Sequence, residues 1–230
     1  MKGEKIWQMI LKSITGDKVF VSWSGGKDSY LALLKAREAG LEVVSLLCFI
    51  SADGESRSHG IKADVLEKQS GLLGIPLHTE AVTWKSYEDG FVRAVYHLKE
   101  QKKITGGVFG DINLVEHRQW VEKMCKRCGI NYNLPLWMME EEKVSRELID
   151  RDGRALLVAL RHDVLDEKWL GHYMDERYIQ HCLEQEISPC GEGGEAHTLV
   201  TGGPLFSRPL EYKTGKILRD DKRSLLQISI

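Results

Sequence analysis

The sequence predicts an α/β fold built on a parallel sheet. Short apolar runs alternate with helical stretches through the first 137 residues, the second run is almost continuously apolar, and the first ends in a Ser-Gly-Gly turn that opens directly into a helix. Alternating strands and helices require crossover connections, and a strand without polar alternation is one covered on both faces.

Val19 to Trp23 reads as the first strand. Lys27 to Ala39 follows as a helix rich in good formers (Leu31, Ala32, Leu33, Leu34, Ala36), with Gly40 as its C-cap. Glu42 to Ile50 is the second strand. The rhythm repeats in a helix from Lys62 to Leu73, a strand around Pro76 to Val82, a helix from Tyr87 to Lys102 and a strand at Gly107 to Gly110. Leu114 to Arg127 is helical with Leu114, Val115, Trp120, Val121 and Met124 as candidate core positions, and Gly129 ends it. Asn131 to Trp137 then carries the chain on, with Pro135 excluded from a central strand.

The character changes after Trp137. A charged run, Glu140 to Lys143, opens a helix, and Ala155 to Leu160 reads as one isolated apolar strand. Beyond it Gly, His and Pro become frequent, and Leu225 to Ile230 is too short to interpret. The boundary is therefore placed at 137/138, giving a main domain over 1–137 and a smaller α+β module over 138–230, which suits a chain of 230 residues.

Composition narrows the function classes. Thirty-two Lys and Arg against 34 Asp and Glu give a net charge of −2 with the signs interspersed, so no basic face points to nucleic acid. No run approaches the roughly 18 apolar residues of a membrane span, and Met1 to Leu11 lacks a signal-peptide apolar core, so a cytoplasmic protein is expected. Cys48, Cys125, Cys128, Cys182 and Cys190 are an odd set of five, too sparse for a disulfide scaffold.

The glycine turn carries the chemistry. A strand that stops at Ser24-Gly25-Gly26 and passes into a helix at Lys27 gathers backbone N–H groups and the positive helix end at one spot, which suits an anion. Gly25 and Gly26 allow close backbone approach, Ser24 and Ser29 offer hydroxyls, and Lys27 adds a cation for a phosphate oxygen. Asp28 beside polyphosphate needs a reason: it either helps to hold Mg²⁺ or caps the turn. The spacing fails both the P-loop pattern and the dinucleotide pattern, so γ-phosphate transfer is not the natural reading. The phosphates would rest on Ser24 to Ser29, with adenine read by backbone groups of Cys48, Phe49 and Ile50 at the end of the second strand.

Further candidates lie downstream. Asp111 follows the run ending at Gly110, at the carboxyl edge where ligands of open α/β sheets bind, and could hold Mg²⁺ or orient an acceptor; an ordinary helix N-cap is the alternative. Glu116, His117 and Arg118 open the next helix and point in three directions, so not all can face one site. His59 lies in a polar turn after the second strand and either reaches the nucleotide or starts a helix. Glu192, Glu195 and His197 sit among glycines in a polar loop without core periodicity. Cys190 in that loop is expected to be inert rather than nucleophilic. Cys125 and Cys128 form a CxxC on a helix without the second pair that zinc would want, so packing is the expected role.

Two sets of residues carry a resemblance. The string Ser24 to Ser29, SGGKDS, resembles the PP-loop of the adenine nucleotide α-hydrolase superfamily, whose members cleave ATP to AMP and pyrophosphate. Gly110-Asp111, Glu116-His117-Arg118, Trp120, Pro135-Leu136-Trp137 and Cys190-Gly191-Glu192-Gly193-Gly194-Glu195-Ala196-His197-Thr198 together resemble the diphthine-ammonia ligase-like family over roughly Val19 to Phe206. The resemblance implies a five-stranded parallel sheet of the HUP type over 1–137 that binds ATP with Mg²⁺, and a smaller domain over 138–230 that helps to form the substrate site. It implies adenylation of a carboxylate, on a small molecule or borne by a protein, followed by attack of ammonia from a donor. Glu116, His117, Arg118, Glu192, Glu195 and His197 would then serve substrate binding, with Glu195 or His197 as base and Lys27 and Asp111 in the catalytic set.

Arg57-Ser58-His59-Gly60 stands where eukaryotic and archaeal members carry another string, so the chain looks more like a bacterial branch. Diphthine would be its acceptor only if the source makes diphthamide. The competing readings are a tRNA-modifying PP-loop enzyme, which should show a basic patch or a useful cysteine pair, and a nucleotide-binding regulator without turnover. A homodimer is possible.

Overall fold

The computed structural model of the chain describes residues 16–56 and 60–230. The chain folds into two compact units, 16–23, 28–53 and 75–138 in the first and 24–27, 54–56, 60–74 and 139–230 in the second. The units are therefore not contiguous in sequence: the turn Ser24–Lys27 belongs to the second although the strand before it belongs to the first.

The first unit is a five-stranded parallel sheet in the order β3-β2-β1-β4-β5, formed by β1 (Lys18–Ser22), β2 (Glu42–Ile50), β3 (Leu77–Ala81), β4 (Gly106–Val108) and β5 (Asn131–Asn133). The chain fills one side from β1 to β3, then crosses back to place β4 on the free edge of β1. The order thus reverses between β1 and β4, where the outward-diverging connections leave a crevice at the carboxyl ends. This is the α/β sheet with flanking helices that the sequence predicts, and it is consistent with a HUP-like fold.

Helices α1 (Lys27–Glu38), α3 (Tyr87–Lys102) and α4 (Val115–Cys128) belong wholly or mainly to this unit. Asp28 sits in the first turn of α1 and Lys35 and Arg37 in the last, the charge order that a helix dipole favours. Phe20 of β1, Phe109 after β4 and Phe91 of α3 lie at the centre of one apolar layer, with Phe20 edge-on to Phe109 at 5.7 Å and to Phe91 at 6.3 Å. Gly107 is required by that layer: a Cβ would lie 2.5 Å from the Phe20 ring.

The second unit holds α2 (Ala63–Leu73), α5 (Glu141–Asp150), α6 (Glu176–Glu184) and an antiparallel sheet in the order β7-β6-β9-β8. Its strands are β6 (Arg154–Arg161), β7 (Ala196–Gly202), β8 (Lys213–Arg219) and β9 (Arg223–Ser229). Three expectations change here. The strand at 155–160 is not isolated but central, hydrogen-bonded to β7 on one side and β9 on the other. The segment 225–230 lies mostly within β9, where Ser224, Leu226 and Ile228 alternate inward at period two. His197 stands on β7 rather than in a loop, because Ala196 to Gly202 pairs with β6 and becomes a buried strand. Among the described residues no helix is long and apolar enough to cross a membrane.

Candidate functional site

The glycine turn is shaped from a distance. Gly25 has φ +81°, and a Cβ there would lie 2.6 Å from Leu66 Cδ2 and 2.9 Å from Gln69 Oε1 of α2, so only glycine fits both the backbone and the space. The Gly25 carbonyl accepts from Gln69 Nε2 at 3.1 Å and from the Val200 amide of β7 at 2.9 Å. Gln69 also donates to the Val200 carbonyl at 2.6 Å. The Lys27 amide donates to Thr198 Oγ1 at 3.0 Å, and the Gly26 amide reaches Ser24 Oγ at 3.3 Å. Two amides expected to face a phosphate are thus used to fix the bend itself, while the Lys27 side chain is buried at 2% exposure beside it.

Within the first unit, the first turn of α1 approaches the end of β4. A Cβ on Gly110 would lie 2.8 Å from the carbonyl carbon and oxygen of Asp28 and 3.1 Å from the Ser29 nitrogen. Gly110 therefore lets the first turn of α1 press against the strand end where the sheet order reverses. The space a side chain would need is taken by the backbone of α1, so glycine at this position serves close packing of helix against strand end.

Asp111 does not cap the helix that follows, since the N-cap of α4 is Leu114 without a side-chain bond. Asp111 Oδ1 lies 3.1 Å from His117 Nδ1, an exposed pair. Arg118 turns away to Glu122 at 2.8 Å and lies over the Trp137 ring at 5.3 Å, and Glu116 is exposed. Of the three adjacent residues only His117 meets another candidate. β2 runs three residues beyond its last register pair with β1, Ser22↔Leu47, so Cys48 to Ile50 overhang that ladder. The Cys48 side chain is buried and its thiol is pushed up to about 12 by burial, which leaves the backbone as what this segment can offer.

His197 is half-buried on β7, and its pKa falls to about 4, first through burial and then through the positive charges of Lys27 and Arg223. It is neutral at pH 7, able to accept a proton but reluctant to keep it. Glu195 has one carboxylate oxygen, Oε2, buried without a hydrogen-bond partner, and Glu192 is half-buried. Gly191, at φ +69°, lies too close to the Ala196 carbonyl to carry a side chain. Cys190 bonds to Ser145 and to the Glu141 carbonyl, and all five cysteines are buried. Cys125 and Cys128 both pack in the apolar layer of the first unit. Among the described residues no group of three or more His, Cys, Asp or Glu could hold a metal ion. Magnesium bound through one or two carboxylates and phosphate oxygens needs no such group, and Asp28 and Asp111 are the right type. His59, expected near the nucleotide, lies outside the described residues.

The sequence profile of the diphthamide synthase N-terminal domain matches residues 17–132, and that of the diphthamide synthase C-terminal domain matches residues 140–229. The chain belongs to the diphthamide synthase family. It is an enzyme of the ATP-dependent ligase class. The relatives of this diphthamide synthase family member include proteins named diphthine--ammonia ligase. One, from Schizosaccharomyces pombe, is 28% identical over 213 residues, covering 83% of this chain and 35% of that protein. Those from Bos taurus and Homo sapiens are 25% and 24% identical over 220 residues, covering 85% of this chain and 82% of each relative.

Two residues that shape the bend were not singled out from sequence. Thr198 closes the glycine-rich string and could have been suspected from it. Gln69 sits in an ordinary amphipathic helix, and no local signal marks it.

Proposed function

We propose that the chain adenylates a carboxylate with ATP and passes the acyl group to ammonia, giving an amide, AMP and pyrophosphate. The name of the relatives makes diphthine the first acceptor to try. In this reading residues 1–137 bind the nucleotide, and residues 138–230 supply groups that bind the acceptor. The observation that carries it is the bend Ser24–Lys27, fixed by Thr198, Gln69 and Val200 at the start of a helix, with Lys27 buried alongside.

The chemistry follows from charge. An acceptor carboxylate oxygen bonds to the α-phosphorus, the bond to the β-phosphate bridge breaks, and pyrophosphate leaves with the electron pair. Lys27 and the helix start offset the charge that develops there. Magnesium, held by Asp28 and Asp111, would supply further electrostatic stabilisation. The ammonia lone pair then bonds to the acyl carbon, the bond to AMP breaks, and one N–H proton passes to a base. Neutral His197 and Glu195 are both of the right type for that proton.

Labelled ATP tests this. Release of AMP and pyrophosphate should require both the carboxylate and ammonia, and Lys27→Ala or Asp111→Ala should abolish it. Full activity in both variants would remove the site; a requirement for tRNA, or tight binding without products, would replace the reaction.

A further inference from the structure

The sheet of the second unit gathers basic groups on one face. His197 of β7 stands opposite Ala159 of β6, and Ala159 stands opposite Leu225 of β9. Two residues along, Arg161 stands directly opposite Arg223. Paired residues on neighbouring strands share a face, as do residues two apart on one strand, so the imidazole and both guanidinium groups project from the same face. Glu195, just before β7, extends the row: its carbonyl accepts from the Arg161 amide at 2.8 Å, and its charge acts on the Arg161 side chain.

Like charges directly opposite each other on neighbouring strands cost stability, so each arginine needs an anion. Arg161 has one, since Asp163 meets its guanidinium with both carboxylate oxygens at 2.7 and 3.1 Å. Arg223 is held less well. It reaches only one oxygen of Asp220, at 3.1 and 3.3 Å, and both side chains are 56% exposed. The other Asp220 oxygen is committed to the amides of Lys222 and Arg223 at the hairpin turn. An exposed pair of this kind holds a side chain only weakly. Lys27 adds a third cation: its amide is fixed to Thr198, the residue after His197, and its side chain is buried. The charges of Lys27 and Arg223 both act on the half-buried imidazole and drive its proton off. Two cations focused on one neutral imidazole favour an anion at that spot.

The donors define which anion. Arginine offers a fork suited to phosphate oxygens, lysine a point charge, and a neutral imidazole one N–H. They are spread from β9 to the bend beside β7, two strand spacings or roughly 10 Å, which suits an anion with oxygens on more than one centre rather than a lone carboxylate. We propose that Arg223 exchanges its exposed aspartate for the β- and γ-phosphates of a nucleotide held at the bend, and stays on the pyrophosphate as it leaves. This rests on the ligase reading above. Phosphate oxygens between Lys27 and Arg223 would also offset the charges that press on His197, making it the better base when ammonia gives up its proton.

Inorganic pyrophosphate with the full chain is the probe. By calorimetry at pH 7.5, Arg223→Gln should raise its Kd about tenfold, and Arg223→Lys should recover it to within about threefold of the parent. Lys216→Gln, on the exposed strand β8, controls for bulk charge and should leave Kd within about twofold. His197 gives a second readout. Its ring-proton resonance, assigned by its absence in His197→Gln, should titrate with a midpoint at least about one pH unit higher when pyrophosphate is present, and Arg223→Gln should shrink that rise. An unchanged Kd in Arg223→Gln, an equal loss in Lys216→Gln, or a midpoint that pyrophosphate does not move would each overturn the contact. Binding needs no acceptor, ammonia or turnover. The Arg223 effect without AMP formation by the parent therefore refutes the ligase reading and not the contact, whereas AMP formation with an unchanged Kd refutes the contact alone.

Discussion

His197 ties stability to pH in a way that can be calculated. Its pKa falls from the ordinary 6.5 to about 4 in the folded chain, mainly because burial disfavours the imidazolium. As pH drops below about 6.5 the unfolded chain takes up the proton, while the folded chain refuses it until about 4. The unfolded state therefore gains, and the folded state loses stability across that window and is unaffected above it. At about 1.4 kcal/mol per pH unit, the full difference is ~3 kcal/mol. His197→Gln keeps a polar side chain of similar reach and cannot titrate. Urea unfolding at pH 7.5, 6.5, 5.5 and 4.5 should show the parent protein losing most of that ~3 kcal/mol beyond whatever the variant loses. With an m-value of about 2–3 kcal/mol/M the two midpoints should diverge by roughly 1 M. Parallel midpoints from pH 7.5 to 4.5 would refute the claim that His197 is buried neutral.

Gly110→Ala forces a Cβ to within 2.8 Å of the Asp28 carbonyl; a melting curve should show a loss of about 1–3 kcal/mol, and ATP binding by calorimetry should weaken. Thr198→Val removes the acceptor of the Lys27 amide and should cost about 1–3 kcal/mol with a raised Kd for ATP, whereas Thr198→Ser should restore most of both. The cysteines should resist a thiol reagent: Cys48 and Cys125 are both pushed up to about 12 by burial, so the folded chain should react slowly at neutral pH and the urea-unfolded chain fast. Zinc should bind with no defined stoichiometry, since Cys125 and Cys128 are packed in the apolar layer.

The first unit was legible because its signals are local. An apolar run such as Val19 to Trp23, a glycine turn and a helix-forming stretch each occupy a few consecutive residues, and their alternation dictates a parallel sheet. The observed helix Tyr87–Lys102 has the limits that periodicity gives it. The second unit was legible only in part. Its strand Ala196–Gly202 begins in a glycine-rich polar string, and its almost continuous burial arises only once Arg154–Arg161 lies beside it. Antiparallel pairing across intervening helices leaves no local mark of which segments will meet.

The sequence by itself determined the order of elements as far as Trp137, the glycine bend between the first strand and helix, and the residue types available for anion binding. Tertiary structure alone decided what holds that bend. The Lys27 amide meets a hydroxyl 171 residues away, and the Gly25 carbonyl meets an amide side chain 44 residues away. The physical reason is that a backbone donor or acceptor must be paired when buried, but nothing in its own neighbourhood specifies the partner. The same holds for His197, whose neutrality follows from burial on a strand and from the positive charges of Lys27 and Arg223.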